Sequence, residues 1–497
     1  MIRQVRSSYR QIFKATSIFG GVQVFNILVT IIRGKFTAVL LGTTGMGING
    51  LLMSAIMMIK NLTSLGIPES AVKDIAAANG AGDNHRVAVV VSVFKRWIWF
   101  TALLGIIITL VLAHYLSIWV FSNTEYTFPF MLLSVVLVFG ALTGSTYTLL
   151  RGLQRHKYLA LANVLGALGG LLVALPFYYF YGLQGIVPAI IGSAVITWLI
   201  SLYFKSKINI PDIPLASKEV FARGVDMVQL GVVLSFNAFL IVAVQFSLNA
   251  YISRFGSLAD IGLYNAGGSI STGYVGLVFS AMATDYFPRL SAAIGEPARW
   301  RQIVLHQAEL VLLILGPILV FLVVTAPWVI RVLLTAEFLP AFAYIKWAVL
   351  GLFLQGIIWS LGVIIVAKGD LKTKLIVEVT GKLVMLLMHV IGYMYGGLQG
   401  LGMAFLASNV FSLILISLIS HYKYDFRFSA DFIILSLILL FTVLVAFTGV
   451  SFFELVPGLI MGFVAFVGVC SYSYYQLNKR LNFSRAFVEL KNRLRKP

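Results

Sequence analysis

Residues 31–62, IIRGKFTAVLLGTTGMGINGLLMSAIMMIKNL, place three cations, Arg33, Lys35 and Lys60, inside sequence apolar enough for the interior of a membrane. A charged side chain at the bilayer centre costs at least about 2.5–3.5 kcal/mol on insertion scales, so such residues face a bundle interior or a water-filled cavity. Three of them in one hairpin point to a path for an anion.

The rest of the chain supplies the membrane. Its 497 residues are 60% hydrophobic and 11% charged, with a mean hydropathy of +0.95, against roughly 25% charged in soluble domains. The composition specifies an all-α, polytopic membrane protein. The first apolar run is too long for a signal-peptide core and lacks a small-residue cleavage site, so it reads as an uncleaved first span. A net charge of +19 would suggest nucleic acid in a soluble protein, but these basic residues sit in short loops between apolar segments, where topology accounts for them. The lone Cys470 excludes a disulfide within the chain and a cysteine metal site. None of the six histidines has metal-ligand spacing. No catalytic residue, cofactor or metal is expected.

Apolar stretches of about 17–25 residues bounded by Gly, Pro or charge number about fourteen. Their limits are 15–41, 47–66, 97–121, 128–150, 158–181, 184–204, 225–252, 262–287, 304–330, 342–367, 373–395, 398–420, 431–449 and 456–476. About thirty Lys and Arg fall in one set of alternate loops and the termini, whereas the opposite set holds only Arg254 and Arg331. The positive-inside rule makes the basic set cytoplasmic, with both termini inside.

The chain also repeats. RGLQRHK (151–157) and KGDLKTK (368–374) each open a span, and those spans end at YGLQGI (181–186) and YGGLQGL (395–401). GMGING (45–50) falls opposite DIGLYNAGG (260–268) at the same offset of about 215–217. Six spans recur as six with the same orientation, which places a pseudo-twofold along the membrane normal. The expected organisation is an N-terminal lobe 1–204, a cytoplasmic linker 205–223, a second lobe 224–425, an added hairpin 426–476 and a basic tail 477–497.

FTAVLLGTTGMGINGLL (36–52), ADIGLYNAGGSIS (259–271), YFPRLSAAIGE (286–296) and VLLTAEFLPAFAYIKW (332–347) resemble bacterial polysaccharide or O-antigen translocases of the multidrug/oligosaccharidyl-lipid/polysaccharide exporter superfamily. The likeness extends over roughly residues 1–425 and rests on the order and spacing of the motifs. It implies a two-lobe inner-membrane transporter that flips an undecaprenyl-pyrophosphate-linked glycan to the periplasmic leaflet by alternating access. It implies as partners that lipid-linked glycan, the bilayer and polysaccharide polymerase or assembly machinery, with the protein acting as a monomer. The chain resembles the lipid II flippases more distantly; their cavity carries cations on its first two helices, at positions like Arg33 or Lys35 and like Lys60. It departs from that pattern in having Gly47 and Asn49, and no carboxylate, around the first turn.

The embedded charges have competing readings. Lys60, about 20 Å into its span, either lines a cavity or snorkels towards the cytoplasmic interface. Arg33 and Lys35 are about 200° apart on a helix and cannot share a face unless Gly34 loosens the turn. Lys382 lies near the middle of the eleventh span, with Glu378 one turn before it. The two form a structural i,i+4 pair, or Lys382 meets the substrate, or protonation of Glu378 frees Lys382 and couples transport to protons. Asn237, Gln245 and Asn249, together with Asn26 in the first span, are either polar lining of a cleft or hydrogen-bonding contacts between helices. Glu309 and Asp285–Arg289 read as solvated charges at the cytoplasmic edge. The functional expectation is a flippase binding pyrophosphate through Arg33, Lys35, Lys60 and Lys382. The alternatives are a cation-coupled multidrug antiporter of the same superfamily and a membrane-bound polymerase or glycosyltransferase.

Overall fold

The structure, a computed structural model, describes residues 2–481, with side chains for 25–480 other than positions 274, 277 and 284. The last part of the expected tail 477–497 and the basic side chains before residue 25 lie outside the described residues. Contacts divide the chain into two compact units: Met1–Gly262 with Leu333–Thr335, and Leu263–Val332 with Ala336–Pro497.

The first unit contains α1 (Ile2–Ser64), α2 (Ile67–Gly80), α3 (Asn84–Phe121), α4 (Thr127–Gly152), α5 (His156–Tyr181), α6 (Ile186–Lys205) and α7 (Ser217–Phe255), and ends within α8 (Leu258–Ala293). The second takes the rest of α8 with α9 (Pro297–Leu333), α10 (Phe342–Ala367), α11 (Leu371–Tyr424), α12 (Ala430–Phe452) and α13 (Leu455–Leu481).

Among the described residues, ten stretches are long and apolar enough to cross a membrane. Three of them hold two spans each: α1 breaks at Gly42, α11 breaks at Gly397, and His156–Lys205 joins α5 to α6. With α8, these helices cover all fourteen anticipated segments.

The helices also extend past those segments. The stretch after residue 66 lies outside the fourteen apolar segments, yet it forms α2, which buries Ile67, Ala71, Ile75 and Ala78 on one face; the first three join a cluster with Val93, Phe94 and Trp97 of α3 and Leu149 of α4. Asp83 then caps α3 by accepting from the Arg86 N–H at 2.8 Å. Thirteen residues of α3 therefore precede its apolar run at Trp97. The linker anticipated at 205–223 is fastened along this extension. Lys95 pairs with Asp212 at 3.0 Å, Ser92 Oγ accepts from the Ile213 N–H, and Arg96 donates to the Leu215 carbonyl at 3.0 Å. The chain is helical again from Ser217, inside the expected linker, and Trp97 donates to the Val220 carbonyl at 3.0 Å.

The repeat is legible in backbone angles, and its offset is 215. Gly182 adopts φ 53, ψ −128 and Gly397 adopts φ 53, ψ −134, a left-handed conformation that costs glycine little and other residues more. The strongest sign lies between α1 and the start of α8. A Cβ added at Gly47 would stand 1.8 Å from the Leu258 carbonyl oxygen, and one added at Gly262 would stand 2.0 Å from that of Thr43. Since 43 and 258, and 47 and 262, are each 215 apart, the contact is exchanged by the repeat operation itself. The two helices cross there with no space for a side chain.

In the second unit the final hairpin is fixed to α9. Glu309, expected at a solvated edge, is 6% exposed and accepts from Arg480 of α13 at 2.8 Å, and Phe321 packs on Phe466. Asp285 and Arg289 are an exposed pair at 3.5 Å, as anticipated. Before α11, Asp370 accepts from Lys423 at 2.6 Å, from Tyr424 at 2.7 Å and from the Thr373 N–H; these donors hold its carboxyl well below the usual carboxylate range.

Two outcomes follow for the solubilised protein. Gly47→Ala and Gly262→Ala should each lower thermal stability by about 1–3 kcal/mol through overpacking. The double variant should cost less than the sum, since both methyls enter one widened crossing. Arg480→Met, which strands a buried carboxylate, should cost about 3 kcal/mol, and adding Glu309→Gln should recover most of it. Thermal unfolding of the four single variants and the two doubles checks both.

Candidate functional site

In the first unit, the polar face of α1 begins at Asn26 and continues through Thr30, Arg33 and Thr37, spaced four, three and four residues apart and hence on one side of the helix. Thr30 and Thr37 donate back to the carbonyls of Asn26 and Arg33 at 2.8 Å. Their hydroxyl protons are thereby used within the helix. The side chains of Asn26 and Arg33 are half-buried and make no hydrogen bond or ion pair with a described residue. Arg33 lies nine residues before the break at Gly42, roughly 14 Å along the helix. Lys35 projects from another face and donates to the Leu334 carbonyl. Of the two neighbouring cations, Arg33 keeps its donors free and Lys35 is committed to a carbonyl.

Lys60 stands on the second half of α1, and its ammonium lies 4.0 Å from where a Cβ on Gly140 would be. Gly140 is thirteen residues from the start of α4 and twelve from its end, about 20 Å from either. The charge is therefore at mid-span level. Its side chain is exposed to a small cavity of about 50 Å³ bordered by Thr63, Ser64, Thr101, Gly140 and Gly144. Thr63, Ser64 and Thr101 donate to carbonyls of their own helices, leaving oxygen lone pairs on the cavity side. No described residue forms an ion pair with Lys60.

The polar residues of α7 divide. Asn249 is 1% exposed; it accepts from Gln245 at 3.1 Å and donates to Ser54 of α1 at 3.4 Å. Gln245 and Asn249 thus tie α7 to α1 in this structure, and Asn249 has no exposed surface to line a cleft. Asn237 is half-buried, and its Oδ1 is enclosed without a partner.

In the second unit, Glu378 and Lys382 lie seven and eleven residues into α11, both half-buried. The i,i+4 pair between them is not closed, for it is absent from the ion pairs of the described residues. Seven residues beyond Lys382, on the same face, stands His389, which the sequence reading passed over. It is fully buried; Nδ1 donates to the Met385 carbonyl at 2.7 Å and Nε2 has no partner. Extending the Glu378–Lys382 stripe by two turns would have found it. Gly140, Gly144 and Thr101 carried no comparable signal, because small and hydroxyl residues are common throughout membrane helices.

Three comparisons bear on this arrangement. The profile of a family described as polysaccharide biosynthesis protein matches residues 12–294, over half of the chain. Among solved structures, the fold is similar to an inward-facing multidrug resistance MATE family transporter of the MOP superfamily (TM-score 0.69, 18% identity, 80% of this chain and 94% of that one). It is similar also to the lipid II flippase MurJ in an inward closed conformation (TM-score 0.64, 13% identity, 94% and 99%). An outward-facing MATE transporter matches with a TM-score of 0.57 at 19% identity, over 83% and 94%. A search of curated proteins returned no match.

If the Gln245–Asn249–Ser54 chain is a packing contact, Asn249→Leu should lower thermal stability by about 0.6–1.7 kcal/mol, the range of hydrogen bonds between membrane helices. Ser54→Ala in the same background should add little, and a double-mutant cycle on the solubilised protein measures the coupling.

Proposed function

Because the chain belongs to the polysaccharide biosynthesis protein family, we propose that it is a flippase. It would carry an undecaprenyl-pyrophosphate-linked oligosaccharide, the unit of an O-antigen or related surface polysaccharide, from the cytoplasmic to the periplasmic leaflet of the bacterial inner membrane by alternating access. The observation that carries this reading is Lys60: an ammonium at mid-span level, in no ion pair with a described residue, at a small cavity. A headgroup of pyrophosphate and sugars must cross about 30 Å of hydrocarbon, and a fixed cation replaces part of the hydration its phosphates lose. Arg33, with its guanidinium unpaired, suits a phosphate by two parallel hydrogen bonds. The lone pairs of Thr63, Ser64 and Thr101 suit donors on sugars.

In this reading the basic loops are cytoplasmic. The lobes are 1–204 and 224–425, joined by 205–223, with 426–476 an added pair of helices. Lys382 offers the second lobe's cation, Lys35 holds the periplasmic end of the first helix to Leu334, and Glu378 is the group through which protons enter the cycle. The protein works as a monomer beside the polymerase and assembly machinery that consume its product.

A second reading, coupled efflux of a small cation, takes its support from Glu378, a half-buried acid without an ion pair inside a span. The first predicts that Lys60→Ala, Arg33→Ala and Lys382→Ala each cut flipping of a labelled lipid-pyrophosphate oligosaccharide in proteoliposomes by about tenfold or more, the worth of one charge-assisted hydrogen bond. Lys60→Arg should retain most of the activity. Normal flipping in all three alanine variants, with Glu378-dependent efflux of cationic dyes, would favour the second.

A further inference from the structure

A second polar site lies where α3 enters the apolar layer, away from the embedded cations. At 38 residues, α3 is roughly 57 Å long, nearly twice the thickness of a hydrocarbon core. Its sequence changes from KR to WIWF at residues 95–97, which sets the border of the apolar layer there. At that border Arg96, Trp97, Phe100, Ser217, Val220 and Phe221 enclose an open groove of about 200 Å³.

The floor of the groove is aromatic. Trp97 stacks on Phe221 at 5.9 Å and meets Phe100 edge-on at 5.5 Å, and Phe100 and Phe221 remain 56% and 65% exposed. The indole N–H is spent on the Val220 carbonyl, so the rings offer an apolar surface. The rim is cationic. Lys95 is neutralised by Asp212, whereas Arg96 gives one nitrogen to the Leu215 carbonyl and forms no ion pair with a described acid. The residue is exposed and lines the groove. Lys218, exposed and likewise outside every ion pair of the described residues, stands on the first turn of α7 beside Ser217.

A groove with apolar floor and unneutralised cationic rim, at the depth of the lipid headgroups, matches a molecule with an anionic head and an apolar body. We infer that this groove binds one anionic phospholipid, its phosphate on Arg96 and the start of its chains on Phe100 and Phe221. The assignment is independent of the flippase reading, since it needs only that α3 crosses a bilayer. The complementarity is specific in sign: a zwitterionic lipid brings its own ammonium to the rim and gains less from Arg96.

The full-length protein, purified in micelles containing phosphatidylglycerol and phosphatidylethanolamine and then stripped stepwise of lipid, tests this by native mass spectrometry. One phosphatidylglycerol should persist per chain after phosphatidylethanolamine is lost. Arg96→Gln should cut its retention about tenfold, as for one charge-assisted hydrogen bond, and Arg96→Lys should keep most of it. Because Arg96 also holds Leu215, Phe221→Ser provides an independent arm that leaves the linker contact in place and should also lower retention. Arg299→Gln, at an exposed pair of the second unit that takes no part in lining the groove, should change nothing. Equal retention of the two lipids, unchanged retention in Arg96→Gln, or unchanged retention in Phe221→Ser would each overturn the proposal.

Discussion

The crossing of α1 over the start of α8 brings two backbones together at positions that the repeat relates. At Gly47 and Gly262 each backbone lies against a carbonyl of the other helix, and neither position has space for a methyl group. Without a hydrophobic driving force between helices in lipid, such close approach is a principal source of helix association. Because the two positions are repeat equivalents, one small residue type serves the contact twice. Gly182 and Gly397 show the same economy: one left-handed turn is used at the end of α5 and again within α11.

Upon that shared backbone the charges are not shared. The residues 215 positions after Arg33, Lys35 and Lys60 are Leu248, Ala250 and Val275, all buried and apolar. Those 215 positions before Glu378, Lys382 and His389 are Asn163, Ala167 and Ala174. The repeat thus pairs each ionisable position with an uncharged one, apolar in every case but Asn163, and the ionisable positions fall in different places in each half. Each such position carries the cost of a charge among spans, and packing offers no compensation, since Arg33, Lys60, Glu378 and Lys382 lack ion pairs among the described residues.

The fold was largely readable from the sequence because a bilayer permits so few backbone arrangements. Apolar length and loop charge are sufficient to place fourteen spans. What escaped was what lies outside that constraint: α2, the first thirteen residues of α3 and the fastened linker are too short, or too broken by charge and polar residues, to read as separate spans, and their packing against one another is not written in hydropathy. Spacing separated Arg33 from Lys35 but could not say which stayed free; that depended on Leu334, about 300 residues away in sequence. It gave equal weight to a closed and an open Glu378–Lys382 pair, because rotamers decide between them. The buried bridge through Asn249 was open for the same reason, since glue and lining have the same periodicity.

The ion pairs that join distant parts of the chain draw on the basic loops and tail: Lys95–Asp212 in the first unit, and Arg301–Asp425, Lys423–Asp370 and Arg480–Glu309 in the second. Where such pairs are exposed, water screens them and pairing adds little beyond geometry; at Glu309 burial makes the partner obligatory. Burial and not depth decides this: Glu309 and Glu378 each lie five residues into their apolar stretches, and the half-buried Glu378 leaves its i,i+4 pair with Lys382 open. Lys60 forms no ion pair with a described residue, though the carboxylate of Glu69, beyond the kink at Gly66, acts on its charge from a distance. An ammonium without a bonded carboxylate is one whose hydrogen-bond donors stay open to an anion.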